Sequence, residues 1–258
     1  MTARAISDDV NGSLPKHRRI ADRILSEIES GNWQAGAQIP SEDRLADESA
    51  VSLGTVQRAL RSLVDMGVLV RKHGKGTFVS GARAPERHLR HFRFLADDGQ
   101  TLLTIYFNIL DITPCNQAGP WATFLDDPSH EYVRITRLAS VAGEFEAYSE
   151  VLLPAGRFGG LLDFHRKALD GVSIRDKLAE EFNAPTLSAR QTLLCQPLPP
   201  RVTQILDLPT SHYGMVWTIE GRSFRDAPIT WQRVFVPPSD RALELTTGIM
   251  PGPEGRAQ

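Results

Sequence analysis

Gln57, Arg58 and Arg61 stand close together, with Gly54 and Thr55 just before them, and their side chains suit one kind of chemistry. Read as a helix between Ser52 and Gly67, this stretch puts Val56, Ala59, Leu60 and Leu63 at i, i+3, i+4 and i+7. That is an apolar stripe, and it leaves the polar set on the other face. Gln pairs a donor with an acceptor, as adenine requires, and Arg brings a charged fork of donors that meets guanine or phosphate. Further along, Lys72, His73, Gly74 and Lys75 form a basic tip. A polar helix with a basic loop beside it is a device for reading double-stranded DNA through the major groove. Arg44 adds a donor from the preceding element, and Ser52 opens the helix. The bland alternative is a solvated helix face. Leu53 could meet a thymine methyl or simply cover the helix start.

The flanking elements would hold this face in place. Pro15 opens a helix striped by Ile20, Ile24 and Ile28, and Gly31 ends it. Ser41 is the expected N-cap of a short second helix, with Glu42 and Asp43 at the positive end of its dipole and Leu45 and Ala46 inward. Ser49, Ala50 and Val51 make the turn, and Ser52 is the expected cap of the third helix. Val68 to Arg71 and Thr77 to Val79 read as a hairpin whose tip needs Gly74 and Gly76 for positive φ. The Gly-Lys-Gly-Thr run at this tip is not a nucleotide loop. It lacks the earlier glycine and a Lys followed directly by Ser or Thr, and no helix follows.

Charge divides along the chain. Residues 13–95 hold 14 Lys and Arg against 9 Asp and Glu, whereas residues 96–258 hold 14 against 20. A basic head on an acidic body fits a nucleic-acid-binding domain joined to one that does something else. The 258 residues suit two domains, and 41% hydrophobic with 23% charged residues describes an ordinary globular chain. No apolar run is long enough to span a bilayer, and the first residues lack the pattern of a secretory signal, so a cytoplasmic location is expected. Cys115 and Cys195 have no partners at ligand spacing, so neither a disulfide framework nor a metal site is expected, and no cofactor.

Beyond Phe92 the pattern turns to strands. Residues 102–112, 131–143, 146–154, 214–224 and 228–238 read as strands, and 161–169, 174–182 and 200–206 as helical. This mixture predicts an α+β domain with a mainly antiparallel sheet. The expected division is a disordered tail over 1–12, a DNA-binding domain over 13–80, a linker over 81–91, a second domain over 92–249 and a disordered tail over 250–258.

The first domain resembles the GntR family of bacterial transcription regulators. The resemblance rests on Ile39-Pro40-Ser41-Glu42, Leu45-Ala46, Val51-Ser52, Thr55-Val56, Ala59-Leu60, Gly67 and the run Gly74 to Val79. The second is similar to the UTRA effector domain of the HutC subfamily, on Val133 to Leu138, Ser149 to Pro154 and Ala227-Pro228-Ile229. These resemblances imply a winged helix-turn-helix head and a chorismate-lyase-like fold for the body. They also imply a homodimer, a DNA operator with two half-sites and a small-molecule effector bound in the second domain. The chain departs from the usual pattern at Asp43, Leu53 and Gln57, where the family commonly has Arg. Its half-site is therefore expected to differ.

For the effector, the family match favours Arg137 as a buried partner for a carboxylate or phosphate. Arg134, three residues earlier on the same strand, must face the other way. Glu150 shares a face with Tyr148 and Leu152, and is expected at the same cavity as Arg137, orienting it or binding a ligand hydroxyl or amine. An internal Arg137–Glu150 salt bridge is the alternative. Arg233, which shares a face with Trp231, and Gln191 and Tyr106 complete the candidate set. The function expected is a regulator, a repressor, whose operator affinity an anionic metabolite changes. The rivals are a lyase-like enzyme, which the sequence supports with no catalytic triad, metal set or cofactor loop, and a constitutive DNA-binding dimer.

Overall fold

The structure is a computed structural model that describes residues 15–34, 36–72, 74–80 and 92–245. His73, the expected linker 81–91 and the expected tails 1–12 and 250–258 lie outside the described residues. The chain divides into two compact units, one drawn from Met1–Ala84 with Ala179–Leu187, the other from Pro85–Leu178 with Ser188–Gln258.

Three helices and a hairpin make up the first unit: α1 (Lys16–Glu29), α2 (Glu42–Ser49), α3 (Leu53–Asp65), β1 (Leu69–Lys72) and β2 (Gly76–Val79). The stripes expected from spacing are its core. Ile20, Ile24 and Ile28 of α1 and Val56, Ala59, Leu60 and Leu63 of α3 are all buried, and α1 packs on α3. Burial of each large apolar chain stabilises by roughly 1.5–3 kcal/mol, so these two stripes dominate the unit's stability. The Ser41 hydroxyl accepts from the Arg44 backbone N–H at 3.3 Å, as an N-cap should. Ala50, at φ 50°, ends α2 in the left-handed region. Ser52 corrects the expectation. It occupies the N-cap position of α3, but its hydroxyl bonds the Thr55 hydroxyl at 2.8 Å and caps no backbone N–H.

The hairpin pairs Arg71 with Thr77 and Lys72 with Gly76. Gly76 has φ 109°, and a Cβ there would come 2.7 Å from the Gln38 amide nitrogen. That nitrogen donates to the Lys75 carbonyl at 2.9 Å. Ile39 N donates to Thr77 O, and Val79 N to Ala37 O, so the segment before α2 borders β2 at an isolated antiparallel bridge between Gln38 and Phe78. The tip is thus tied from outside the hairpin, which a lone four-residue ribbon would need.

Six strands form the sheet of the second unit: β3 (Ile105–Cys115), β4 (Tyr132–Val141), β5 (Phe145–Pro154), β6 (Ser188–Pro197), β7 (Tyr213–Arg222) and β8 (Pro228–Val236). Their order is β3-β4-β5-β8-β7-β6, and every neighbouring pair is antiparallel. Strand β6 is absent from the sequence expectation. It is an edge strand, mostly exposed, so no alternation of apolar and polar residues marks it. The short α4 (Pro120–Leu125) was also unread, although Gly119 and Pro120 mark its start. Residues 161–169 are not an α-helix. They fall in two 3₁₀ turns, Gly159–Asp163 and Arg166–Leu169, parted by Phe164 and His165 in extended conformation. α5 (Ala155–Phe158), α6 (Ile174–Glu181) and α7 (Pro200–Ile205) are the remaining α-helices of the described chain.

The sheet buries side chains on both faces. One face carries Ala139, Val141, Ala147, Trp217, Ile219, Val234 and Val236 around Phe94. The other carries Tyr148, Val216 and Phe235 under Leu198 and Val202, and Leu152 and Trp231 under Leu125. β5 is buried over Ala147–Ser149 and Val151–Leu153, whereas β4 alternates buried with half-buried positions along most of its length. No helix among the described residues is long and apolar enough to cross a membrane.

The two serine positions make a direct test of capping. Ser41→Ala should cost about 1 kcal/mol of unfolding free energy. Ser52→Ala should cost clearly less, because it removes no backbone cap. Urea unfolding of both variants compares them, and equal losses would contradict the geometry at Ser52.

Candidate functional site

On the first unit, Gln57, Arg58 and Arg61 are exposed on α3, opposite its buried stripe, with Ser52 and Gly54 exposed at its start and Thr55 half-buried. Lys72, Gly74 and Lys75 are exposed at the hairpin tip, and the Lys72 ammonium sits 4.5 Å from the Phe78 ring centroid. His73 lies outside the described residues. Leu53 is 41% exposed at the start of α3. The arginines divide into two groups. Arg44 is spent on Glu48 at 2.7 Å, and Arg71 on Glu42 at 2.8 Å. Arg58 and Arg61 form no ion pair with a described residue and remain for an external anion.

Glu42 was read as a dipole residue and as part of the family motif, and it does more. One carboxylate oxygen accepts from Arg71 of the hairpin and the other from the Gln57 amide at 2.9 Å. No spacing rule links residues 42, 57 and 71, because their meeting depends on the packing of three elements.

On the second unit, strand register decides which candidates meet. Arg137 pairs with Ser149, and Glu150 pairs with Thr136. Directly paired residues share a face and successive residues alternate, so Arg137 and Glu150 point to opposite sides of the sheet. The expectation of one shared cavity is therefore wrong, and so is the alternative of an Arg137–Glu150 salt bridge. Each strand's own alternation was read correctly, but the register between strands could not be seen in either one.

Arg137 is 5% exposed and makes no hydrogen bond to a described residue, its Nε among the buried groups without a partner. Its guanidinium lies over the Phe107 ring at 4.1 Å and near Phe92 at 5.9 Å. Phe92 in turn packs against Phe107 and Trp217. Burial pushes its pKa down from the ordinary arginine value to about 10, since no carboxylate offsets the lost hydration. On the same face, Gln232 donates its amide to the Ser149 hydroxyl at 2.9 Å, both side chains buried. Across β7, Gln191 directs a buried carbonyl oxygen with no partner to this face. Phe92, Phe107, Ser149 and Gln232 were missed from sequence. Ser149 was one step away, beside Glu150, and only the β4–β5 register would have found it.

The opposite face gathers Glu150, Arg233, Tyr148 and Arg201. Glu150 pairs with Arg233 across β5 and β8 and accepts from Arg201 and from the Tyr148 hydroxyl. Burial, then the Glu150 charge, raises the Tyr148 pKa to about 12. The Arg233 guanidinium lies 4.8 Å from the Trp231 ring. Arg134 donates to the Cys115 sulfur at 3.0 Å on this side. Tyr106 is 56% exposed, pairs with Ser140 and lines no site with Arg137. Among the described residues, no cluster of three or more His, Cys, Asp or Glu could hold a metal ion.

Comparison with known proteins follows this division. The family described as bacterial regulatory proteins, gntR family, matches residues 16–79. The chain is 44% identical over 175 residues to the probable fructoselysine utilization operon transcriptional repressor of Escherichia coli, covering 67% of this chain and 70% of that one. It is 41% identical over 69 residues to the histidine utilization repressor of Pseudomonas putida, covering 27% of this chain and 28% of that repressor. Other curated relatives are also matched over less than two thirds of their length, one of them over 59%. In fold, the chain is similar to the solved ligand-binding domain of a protein described as a GntR-family transcriptional regulator from Bordetella bronchiseptica. The TM-score is 0.54 at 15% identity, covering 62% of this chain and 99% of that domain. The chain thus belongs to the gntR family of bacterial regulatory proteins, with a HutC-like organisation in which a winged helix-turn-helix accompanies an antiparallel UTRA-type domain.

Proposed function

We propose that the chain is a cytoplasmic transcriptional repressor that binds operator DNA as a homodimer and changes its affinity when a small anion binds its second unit. The relatives named as repressors support the regulatory reading. The observation that carries the DNA-binding role is the exposed face of α3, where Arg58 and Arg61 lack internal carboxylates beside a basic hairpin. Two heads of a dimer would meet two half-sites about one DNA turn, or a related distance, apart.

For the effector, the observation is Arg137. A buried guanidinium without a carboxylate is costly to keep, and a ligand that brings the missing anion relieves that cost. The hydroxyl of Ser149, the residue paired with Arg137, and the Gln232 amide bonded to that hydroxyl are neutral. The face therefore suits a carboxylate or phosphate whose other end offers hydroxyl or amide hydrogens. Among the described positions of its strands no acidic side chain joins them, so a ligand ammonium finds no counter-charge there. Binding would shift operator affinity through a coupling free energy of ~1–3 kcal/mol. The neutral Gln and Ser side chains, with one arginine, offer binding groups and no general base or nucleophile pair, which favours a binding site over the lyase-like reading.

Arg58→Ala should weaken binding to any duplex and reduce the slope of log affinity against log salt by about 0.9, the loss of one phosphate contact. Fluorescence anisotropy on a random-sequence duplex at several salt concentrations measures it, and an unchanged slope removes Arg58 from the interface.

Arg137→Met should leave operator binding intact and abolish any shift produced by phosphorylated or carboxylate metabolites in a thermal screen. The sign of its stability effect is also fixed. The folded-state pKa lies below the unfolded value, so the charged form is disfavoured by folding at neutral pH, and that loss is recovered only as pH rises past about 10. Removing the charge should therefore stabilise the unliganded protein, by about 1 kcal/mol or more. Destabilisation together with a retained metabolite response would show Arg137 to be structural.

A further inference from the structure

The Glu42 carboxylate stands beside the exposed face of α3, the face proposed to meet DNA, where its charge alone would repel phosphate. It is held by two donors from different elements, Gln57 of α3 and Arg71 of β1. A carboxylate accepts and cannot donate, so the Gln57 group turned toward it must be the amide nitrogen. The ambiguity that normally attends an exposed glutamine amide is removed by its partner. Gln57 then presents its carbonyl oxygen outward, with the second hydrogen of the amide nitrogen still free. That arrangement matches adenine, which offers a donor at N6 and an acceptor at N7.

We propose that Glu42 is a positioning residue for sequence recognition: it fixes the orientation of the Gln57 amide and keeps Arg71 from binding phosphate. The proposal rests on the reading of α3 as the DNA-reading helix. It assigns the wing arginine a role opposite to that of Arg58. Arg71 is neutralised within the protein, so it adds nothing to the attraction that all DNA shares. Specificity, the ratio between a chosen site and any other, gains on both counts.

Glu42→Gln keeps the size of the side chain and removes both effects. A Gln side chain can donate or accept, so the Gln57 amide is free to face either way, and Arg71 loses its counter-charge. The full chain, wild type and variant, is used with a duplex that the wild type selects from a random library and with a scrambled duplex. On scrambled DNA the variant should bind more tightly at low salt, with a salt slope steeper by about 0.9. Arg71→Gln in the same background should cancel that increment. Discrimination at the base position that Gln57→Ala relaxes should fall about tenfold.

A variant that only loses affinity for the selected site, with the salt slope unchanged, would show that Glu42 itself contacts a base, and would overturn the proposal. A lower melting temperature with unchanged slope and discrimination would also overturn it, leaving Glu42 as a helix-terminal acid. If the wild type selects no sequence at all, the reading of α3 fails and the Glu42 proposal with it. If it selects a site that Gln57→Ala does not relax, α3 can still be the reader while the proposal fails.

Discussion

The pairing of Arg137 with Ser149 across β4 and β5 fixes what each face of the second unit can do. A sheet has a period of two, so one paired position assigns every other residue on both strands. Shifted by one residue, the same strands would bring Arg137 beside Glu150 and close an internal ion pair. The observed register instead sends Glu150 to Arg201 and Arg233, and leaves Arg137 among Phe92, Phe107 and neutral polar groups. The aromatic rings compensate the guanidinium in part, since a cation over a ring face is attracted by its quadrupole. They do not supply hydrogen-bond acceptors, and the Nε remains without one. The guanidinium on this face is thus desolvated without a compensating charge.

The sequence made the first unit legible almost to the residue, and the second far less so. The isoleucines of α1 and the stripe of α3 are local patterns, readable at helical spacing, and both are buried as expected. The hairpin tip was visible from Gly74 and Gly76, whose positive φ no other residue adopts as freely. The strand positions of β4, β5, β7 and β8 were also local and readable. Their order and register were not, because they depend on contacts distant in sequence. The edge strand β6 escaped because exposure on both sides leaves no apolar alternation. The failure at Ser52 has another cause. Serine before a helix is a good statistical cap, but here a second hydroxyl, that of Thr55, competes for the same oxygen.

Departures from the family pattern gain a physical meaning at Gln57. An arginine there would also find the Glu42 carboxylate, but it would bring a charge that the carboxylate must share with Arg71. Glutamine is neutral and takes only a hydrogen bond, leaving Arg71 the charge partner. The substitution of Gln and the pairing of Arg71 are thus compatible parts of one arrangement. Leu53 extends it. With 41% of its surface exposed at the start of the same helix, it places an apolar side chain beside the polar face that carries Gln57.

Arginines across the described chain show how one residue type is given different work by its neighbours. Arg44, Arg71, Arg93, Arg190, Arg201, Arg222 and Arg241 each meet a carboxylate. Most of these are surface pairs, worth little individually, and they consume charge that would otherwise act at long range. Arg58, Arg61 and Arg137 are among those without one. Burial then separates these three. Arg58 and Arg61 remain hydrated and can take any phosphate, at an affinity that salt weakens. Arg137 has already lost its water, so an anion that reaches it must also shed its own and recover that loss in hydrogen bonds. The groups beside Arg137, the Ser149 hydroxyl and the Gln232 amide, are neutral and bonded to each other. In the function proposed for this face, discrimination among anions would come from the neutral polar groups beside the charge, while the charge itself would supply the attraction.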